Sequence, residues 1–157
     1  MSSDFVIRRC GPYDSRSIYE LICDMEARNL PWETFNSIYV SQLANPNFVC
    51  LICEQDGQVA GSINLRMEYQ LHHAERVAEI MELVVRARYR SRGIGGKLLA
   101  EACKTAASDG CGQIEVCCNQ LRTDAHRFYA REGMNPFHFK FSRRLTGETE
   151  AENHLGL

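Results

Sequence analysis

One stretch of the chain constrains its fold more than any other: Leu83-Val84-Val85, then Arg90-Ser91-Arg92-Gly93-Ile94-Gly95-Gly96-Lys97, then Leu98-Leu99. An apolar run feeding a glycine-rich turn and then a helical pattern reads as strand, turn and helix. On the helix, Ile94, Leu98, Leu99, Ala102 and Ala106 recur on one face, and Asp109-Gly110 is the stop signal. Glycines let a backbone approach an anion closely, and the unpaired amides and dipole of a helix N-terminus hold it. The turn is therefore a candidate diphosphate cradle. Arg92, Gly93, Ile94, Gly95, Gly96 and Lys97 supply backbone amides, Arg90 and Arg92 supply charge, and Leu83, Val84 and Val85 lead in. The order of a Walker loop is absent, and the glycines are not spaced as in a dinucleotide fingerprint.

The flanking segments place this unit in a mixed α/β sheet, mostly antiparallel, with helices on both faces. Phe5 to Arg9 reads as a strand. Asp14 is positioned to cap a helix whose Ile18, Leu21, Ile22 and Met25 share a face. A second helix runs from about Trp32 to Leu43 and is stopped by Asn45-Pro46-Asn47. Phe48 to Glu54, the turn Asp56-Gly57 and Val59 to Leu71 form a hairpin pattern. Ala78 to Val85 and Gln113 to Cys118 read as further strands. Thr123 or Asp124 caps a short helix ending at Gly133, and the alternation Phe137, Phe139, Phe141 predicts a closing strand. The expected organisation is one domain over residues 1–145 with a polar, acidic tail over 146–157.

Composition removes several classes of function. Eighteen basic against twenty acidic residues, with no long run of one sign, give no footprint for a nucleic-acid backbone or an anionic membrane. No stretch approaches the roughly 20 apolar residues of a membrane helix, so a soluble, cytoplasmic chain is expected. The eight cysteines sit mostly in apolar runs, where a free thiol behaves as a small hydrophobe. Cys50 and Cys53 have C-x-x-C spacing but lie within a predicted strand and lack a second pair, which argues against zinc.

Arg90-x-x-Gly93-x-Gly95 resembles the coenzyme A pyrophosphate signature, Arg/Gln-x-x-Gly-x-Gly/Ala, of the GNAT superfamily of N-acetyltransferases. The context agrees: Glu79-Ile80-Met81-Glu82-Leu83-Val84-Val85 precedes it, and Asn119 with Ala125-His126-Arg127-Phe128-Tyr129 and Gly133-Met134 follow. Met134 stands where an aromatic is commoner in the family. Leu71-His72-His73, Asp124 to Tyr129 and His138-Phe139 are more distinctive, and these resemble the bacterial aminoalkylphosphonate N-acetyltransferases. The resemblance implies the acyl-CoA N-acyltransferase fold, acetyl-CoA as cosubstrate and a small primary amine such as an aminoalkylphosphonate as acceptor.

An alkylammonium must lose a proton before it attacks a thioester, so the site needs a base, directly or through water. Glu79 is the first candidate, by likeness to the family's catalytic glutamate, and Glu82 is the reserve. On an ideal strand the two face opposite ways unless a bulge intervenes. A backbone amide near Leu83 to Val85 suits the oxyanion. Likeness also puts the Tyr129 hydroxyl beside the departing sulfur, as acid, and Asn119 on the pantetheine arm. A phosphonate needs facing positive charge, for which His72, His73, His126, Arg127 and His138 are candidates. The resemblance also keeps a divalent metal in view, on His72 or His73 with Glu79 or Glu82. Three alternatives remain open at this stage. The chain could act on another amine (a polyamine, an aminoglycoside or a protein N-terminus), it could be a coenzyme A-binding regulatory module without catalysis, and it could pair as a homodimer through an exposed strand at the sheet end.

Overall fold

The computed structural model describes residues 4–146. Two compact units divide the chain, Met1–Val116 and Cys117–Leu157.

The first unit is a five-stranded sheet in sequential order: β1 (Val6–Arg9), β2 (Phe48–Gln55), β3 (Gln58–Gln70), β4 (Glu75–Val85) and β5 (Cys111–Val116). All neighbours are antiparallel except β4 and β5, which are parallel and joined through α3 (Ile94–Ser108). A parallel neighbour requires a crossover, and the glycine-rich turn starts it. Helices α1 (Ser15–Glu26) and α2 (Trp32–Leu43) connect β1 to β2.

Side-chain alternation sorts the core into two layers. Ile63, Leu65 and Met67 of β3, all fully buried, belong to the α3 face, where Gly61 lies against the Leu98 side chain. The opposite face carries Ile52 and Val84, packed with Ile18, Leu21, Ile22 and Tyr39 of α1 and α2. Each such aliphatic side chain contributes about 1.5–3 kcal/mol by leaving water, so the two helix layers fix which sheet face each strand residue can take.

Three local expectations change. Asp14 precedes α1 without a capping bond. Its carboxylate instead accepts two bonds from the Arg8 guanidinium, both 2.8 Å, and one from the Gly11 amide, 2.7 Å, and the bidentate cation outcompetes a neutral helix amide. In the second unit α4 (Thr123–Arg131) is preceded by Arg122, again without a side-chain cap, and Asp124 pairs with Arg127. Asn135 to Arg144 forms no strand, and Phe137, Phe139 and Phe141 are exposed. A strand exists through its partner's hydrogen bonds, which the period-2 pattern alone does not supply. The predicted tail falls, from residue 147 onward, outside the described residues.

Candidate active site

A β-bulge in β4 organises the polar face of the sheet. Asn64 of β3 opposes Glu82 while the next residue, Leu65, opposes Ile80, so Met81 is the extra residue. The inserted residue changes the alternation. Glu79, opposite Arg66, and Glu82, opposite Asn64, therefore share one face, that of α1 and α2. The exception allowed by the sequence reading applies here.

The two carboxylates nonetheless have different surroundings. Glu79 accepts a 2.7 Å bond from Arg66, which also lies 3.6 Å from Glu68. Among the described residues no cation pairs with Glu82. It accepts one bond from the Asn64 amide nitrogen, 2.9 Å, and that nitrogen also donates to Gln42 of α2 at 3.0 Å. Burial pushes the Glu82 carboxyl above the usual carboxylate range, and the Asn64 bond only partly opposes this.

Glu82 lines a cavity of about 290 Å³ between α1, α2 and the sheet. Its apolar walls include Ile18, Phe35 and Tyr39, and its polar groups include Cys10, Gln42, Cys50, Ser62 and Asn64. The size and the few convergent polar groups fit a small organic ligand. Arg8 and Arg9 are adjacent on β1 but face opposite ways. Arg8, opposite Ile52, is on the α1 and α2 face and is held by Asp14 and Glu54, whereas Arg9, opposite Leu51, is turned to the α3 face. The sequence reading missed Gln42 and Asn64 because register, not motif, brings them to this cavity.

The glycine-rich stretch forms the expected turn between β4 and α3. Gly93 has φ +78° and Ser91 φ +62°, the left-handed region, so the backbone turns sharply into α3. No side-chain bond caps this end of α3, which leaves the amides of Ile94, Gly95 and Gly96 directed at the turn. A side chain on Gly93 would meet nothing within 4 Å, so that face of the turn is clear. Arg90 donates to the Val85 carbonyl at 3.1 Å, tying the turn to the end of β4. Lys97 lies over the Phe5 ring, 5.4 Å from its centroid, and not free above the turn. The pairing of β4 with β5 ends at Ile80 opposite Val116, so Leu83, Val84 and Val85 have no partner in β5. A cleft of about 540 Å³ runs along Val84, Val85, Ala87 and Arg90 against the end of α1.

The histidines are placed differently from expectation. His72 and His73 lie in the β3–β4 turn, in mutual ring contact at 4.2 Å, and neither lines the Glu82 cavity. His73 is 3.3 Å from the Glu115 carboxylate and 3.1 Å from the Gln113 side chain. Glu79 is committed to Arg66, and among the described residues no group of three or more His, Cys, Asp or Glu side chains is disposed to hold a metal ion. The set His72, His73 and Glu79 does not fit a divalent cation. Within the second unit, His126 contacts the Asn119 carbonyl at 2.8 Å, the Asn119 side chain accepts from the Leu121 amide, Arg127 pairs with Asp124, and His138 is exposed. Tyr129 is half-buried edge-on to Phe128, and burial pushes its phenol up to about 12. It stays a proton donor at neutral pH.

Residues 15–134 match the acetyltransferase (GNAT) family. The chain belongs to that family and is an acetyl-CoA-dependent N-acetyltransferase. It is 38% identical over 139 residues to the aminoalkylphosphonate N-acetyltransferase of Salmonella typhimurium, covering 88% of this chain and 90% of that one. The fold is shared with the aminoglycoside N-acetyltransferase AAC(6')-Iy solved with CoA (TM-score 0.84, 15% identity, 93% of this chain and 98% of that one). It is also shared with glucosamine-6-phosphate N-acetyltransferase from Arabidopsis thaliana (TM-score 0.76, 20% identity, 91% and 99%). No helix among the described residues is long and apolar enough to cross a membrane.

Proposed function

We propose that this enzyme acetylates the primary amine of an aminoalkylphosphonate, with Glu82 as the base. The observation that carries the reading is the Glu82 cavity: a carboxyl pushed upward by burial, beside the amide groups of Asn64 and Gln42. Likeness to the Salmonella enzyme supports the acceptor class.

A base that must take a proton near neutral pH works best with its own pKa raised toward that range. Glu82 meets this condition by burial, while the Glu79 charge is balanced by Arg66. The incoming ammonium gives its proton to Glu82, directly or through one water, and the free amine attacks the acetyl carbonyl carbon. Backbone amides of β4 near Leu83 to Val85, beyond the end of the β5 pairing, suit the oxyanion. As the tetrahedral intermediate collapses, the carbon–sulfur bond breaks and Tyr129 protonates the departing thiolate. The amides of Arg92 to Lys97 hold the pyrophosphate, Arg90 and Arg92 add charge, and Asn119 binds the pantetheine arm.

The test is release of coenzyme A thiol from acetyl-CoA with 2-aminoethylphosphonate or 1-aminoalkylphosphonates, beside polyamine and aminoglycoside acceptors. Turnover favouring phosphonates is expected. Turnover on a polyamine or aminoglycoside with none on phosphonates overturns the acceptor assignment.

A further inference from the structure

The floor of the Glu82 cavity is a row of side chains crossing four strands. Cys10 follows the last register pair of β1 and β2, Arg9 with Leu51, and so lies opposite Cys50; Cys50 opposes Asn64, and Asn64 opposes Glu82. The Cys10 amide donates to the Cys50 carbonyl at 2.9 Å, so the two cysteines occupy a hydrogen-bonded antiparallel pair. Such pairs place Cα atoms about 5.5 Å apart, inside the range a disulfide spans. The two Sγ atoms are 2.8 Å apart and both residues line the cavity. We propose that Cys10 and Cys50 form a paired-thiol modification site that a hydroperoxide closes to an intrachain disulfide, narrowing the acceptor cavity and lowering acetyl transfer. The functional half of this proposal rests on the cavity being the acceptor site.

The chemistry is a two-electron oxidation. The hydrogen bond with Cys10 and then burial push the Cys50 thiol up and keep it protonated, so Cys10 is the attacking sulfur. Cys10 sulfur attacks the terminal oxygen of the hydroperoxide, the O–O bond breaks, and an alcohol, or water from hydrogen peroxide, departs. Cys50 sulfur then attacks the Cys10 sulfenic acid, the S–O bond breaks, and hydroxide leaves with the Cys50 proton as water. The two thiols lose two electrons and the peroxide gains them.

Closure draws the sulfurs from 2.8 Å to about 2.05 Å. The β1 end cannot simply drift to absorb this, because the Tyr39 hydroxyl donates to the Gly11 carbonyl at 2.6 Å. The shift is therefore expected to pass along the row toward Asn64, which holds Glu82. Misplacing a reacting group by about 1 Å costs up to 10²-fold, so turnover should fall about tenfold or more on oxidation. Binding of acetyl-CoA at the α3 cradle should change little.

The experiment treats the full-length protein with hydrogen peroxide, then quenches and maps peptides without reductant by mass spectrometry. Acetyl transfer and acetyl-CoA binding are measured in parallel. A Cys10–Cys50 peptide lighter by two hydrogens is expected, with turnover lost and restored by dithiothreitol. Cys10→Ser and Cys50→Ser should each keep their own reduced activity under peroxide. Cys117→Ser, which removes an exposed thiol, should respond as the unaltered protein does. Absence of the cross-linked peptide overturns the proposal whatever the acceptor. A quantitative cross-link with unchanged turnover, or equal peroxide loss in Cys10→Ser, overturns the gating. If no phosphonate is turned over before oxidation, the acceptor reading has failed, and the peptide map alone decides the thiol pair.

Discussion

Replacing Glu82 by Gln tests the site most directly, because the substitution removes a proton acceptor and almost nothing else. The Gln carbonyl can still accept the 2.9 Å bond from Asn64, so the Asn64–Gln42 arrangement survives. A positioned general base contributes about 10²–10⁴-fold, equivalent to roughly 3–5 kcal/mol of barrier. We expect kcat/KM of Glu82→Gln to fall within that range and the acid limb of its pH profile to disappear. The same variant has a stability signature of opposite sense. Burial raises the folded-state pKa of Glu82 above its unfolded value, so the folded state binds the proton more readily. The associated stability is fully present below the unfolded value, about 4.3, and is lost as pH rises through the folded one. Gln carries no such dependence, so the fall in melting temperature between pH 5 and pH 8 should be smaller in Glu82→Gln. Glu79→Gln is the comparison. Its Arg66 pair is partly solvated, with side chains 36% and 20% exposed, and such pairs contribute about 0–1 kcal/mol. That limits the expected change to about fivefold if only the pair matters. Thiol release across pH with differential scanning calorimetry reads both effects. A Glu82→Gln enzyme that keeps its acid limb, while Glu79→Gln loses it, refutes the argument from burial and moves the base to Glu79.

Three further outcomes follow from the packing and the cradle. A Cβ on Gly61 would sit 2.8 Å from the Val84 carbonyl oxygen and 3.3 Å from Leu98. Gly61→Ala should therefore cost about 1–3 kcal/mol by overpacking, lowering the melting temperature by about 2–4 °C per kcal/mol; an unchanged melt refutes the close approach of β3 to β4. Gly93→Val meets no neighbour but forces a β-branched residue to φ +78°, at about 1–2 kcal/mol, so acetyl-CoA should bind about tenfold more weakly by calorimetric titration. Retained affinity would remove Gly93 from the cradle. Tyr129→Phe should lower kcat by about 10²-fold while leaving acetyl-CoA affinity unchanged, and equal turnover in the two proteins would make Tyr129 a packing residue.

The sequence alone determined the features that depend on neighbours along the chain. Apolar periodicity in 18–25 and 94–106 announced α1 and α3, and the glycines at 93, 95 and 96 announced the turn between β4 and α3. These are local signals, carried by propensity and by the left-handed backbone at Gly93. Only the tertiary structure decided what depends on register. Whether Glu79 and Glu82 share a face turned on one inserted residue, Met81, which shows up only as a slip between two hydrogen-bonded strands. Of two adjacent arginines, Arg8, opposite Ile52, shares the α1 and α2 face and is taken by Asp14 and Glu54, whereas Arg9, opposite Leu51, is turned to the α3 face, a division set by strand register. The row Cys10, Cys50, Asn64 and Glu82 joins residues up to 72 positions apart and has no local signature. The alternation at Phe137, Phe139 and Phe141 carries the reverse lesson, since a strand pattern without a hydrogen-bonding partner forms no strand. Side-chain periodicity is written in the chain, but cross-strand partnership is a property of the folded sheet.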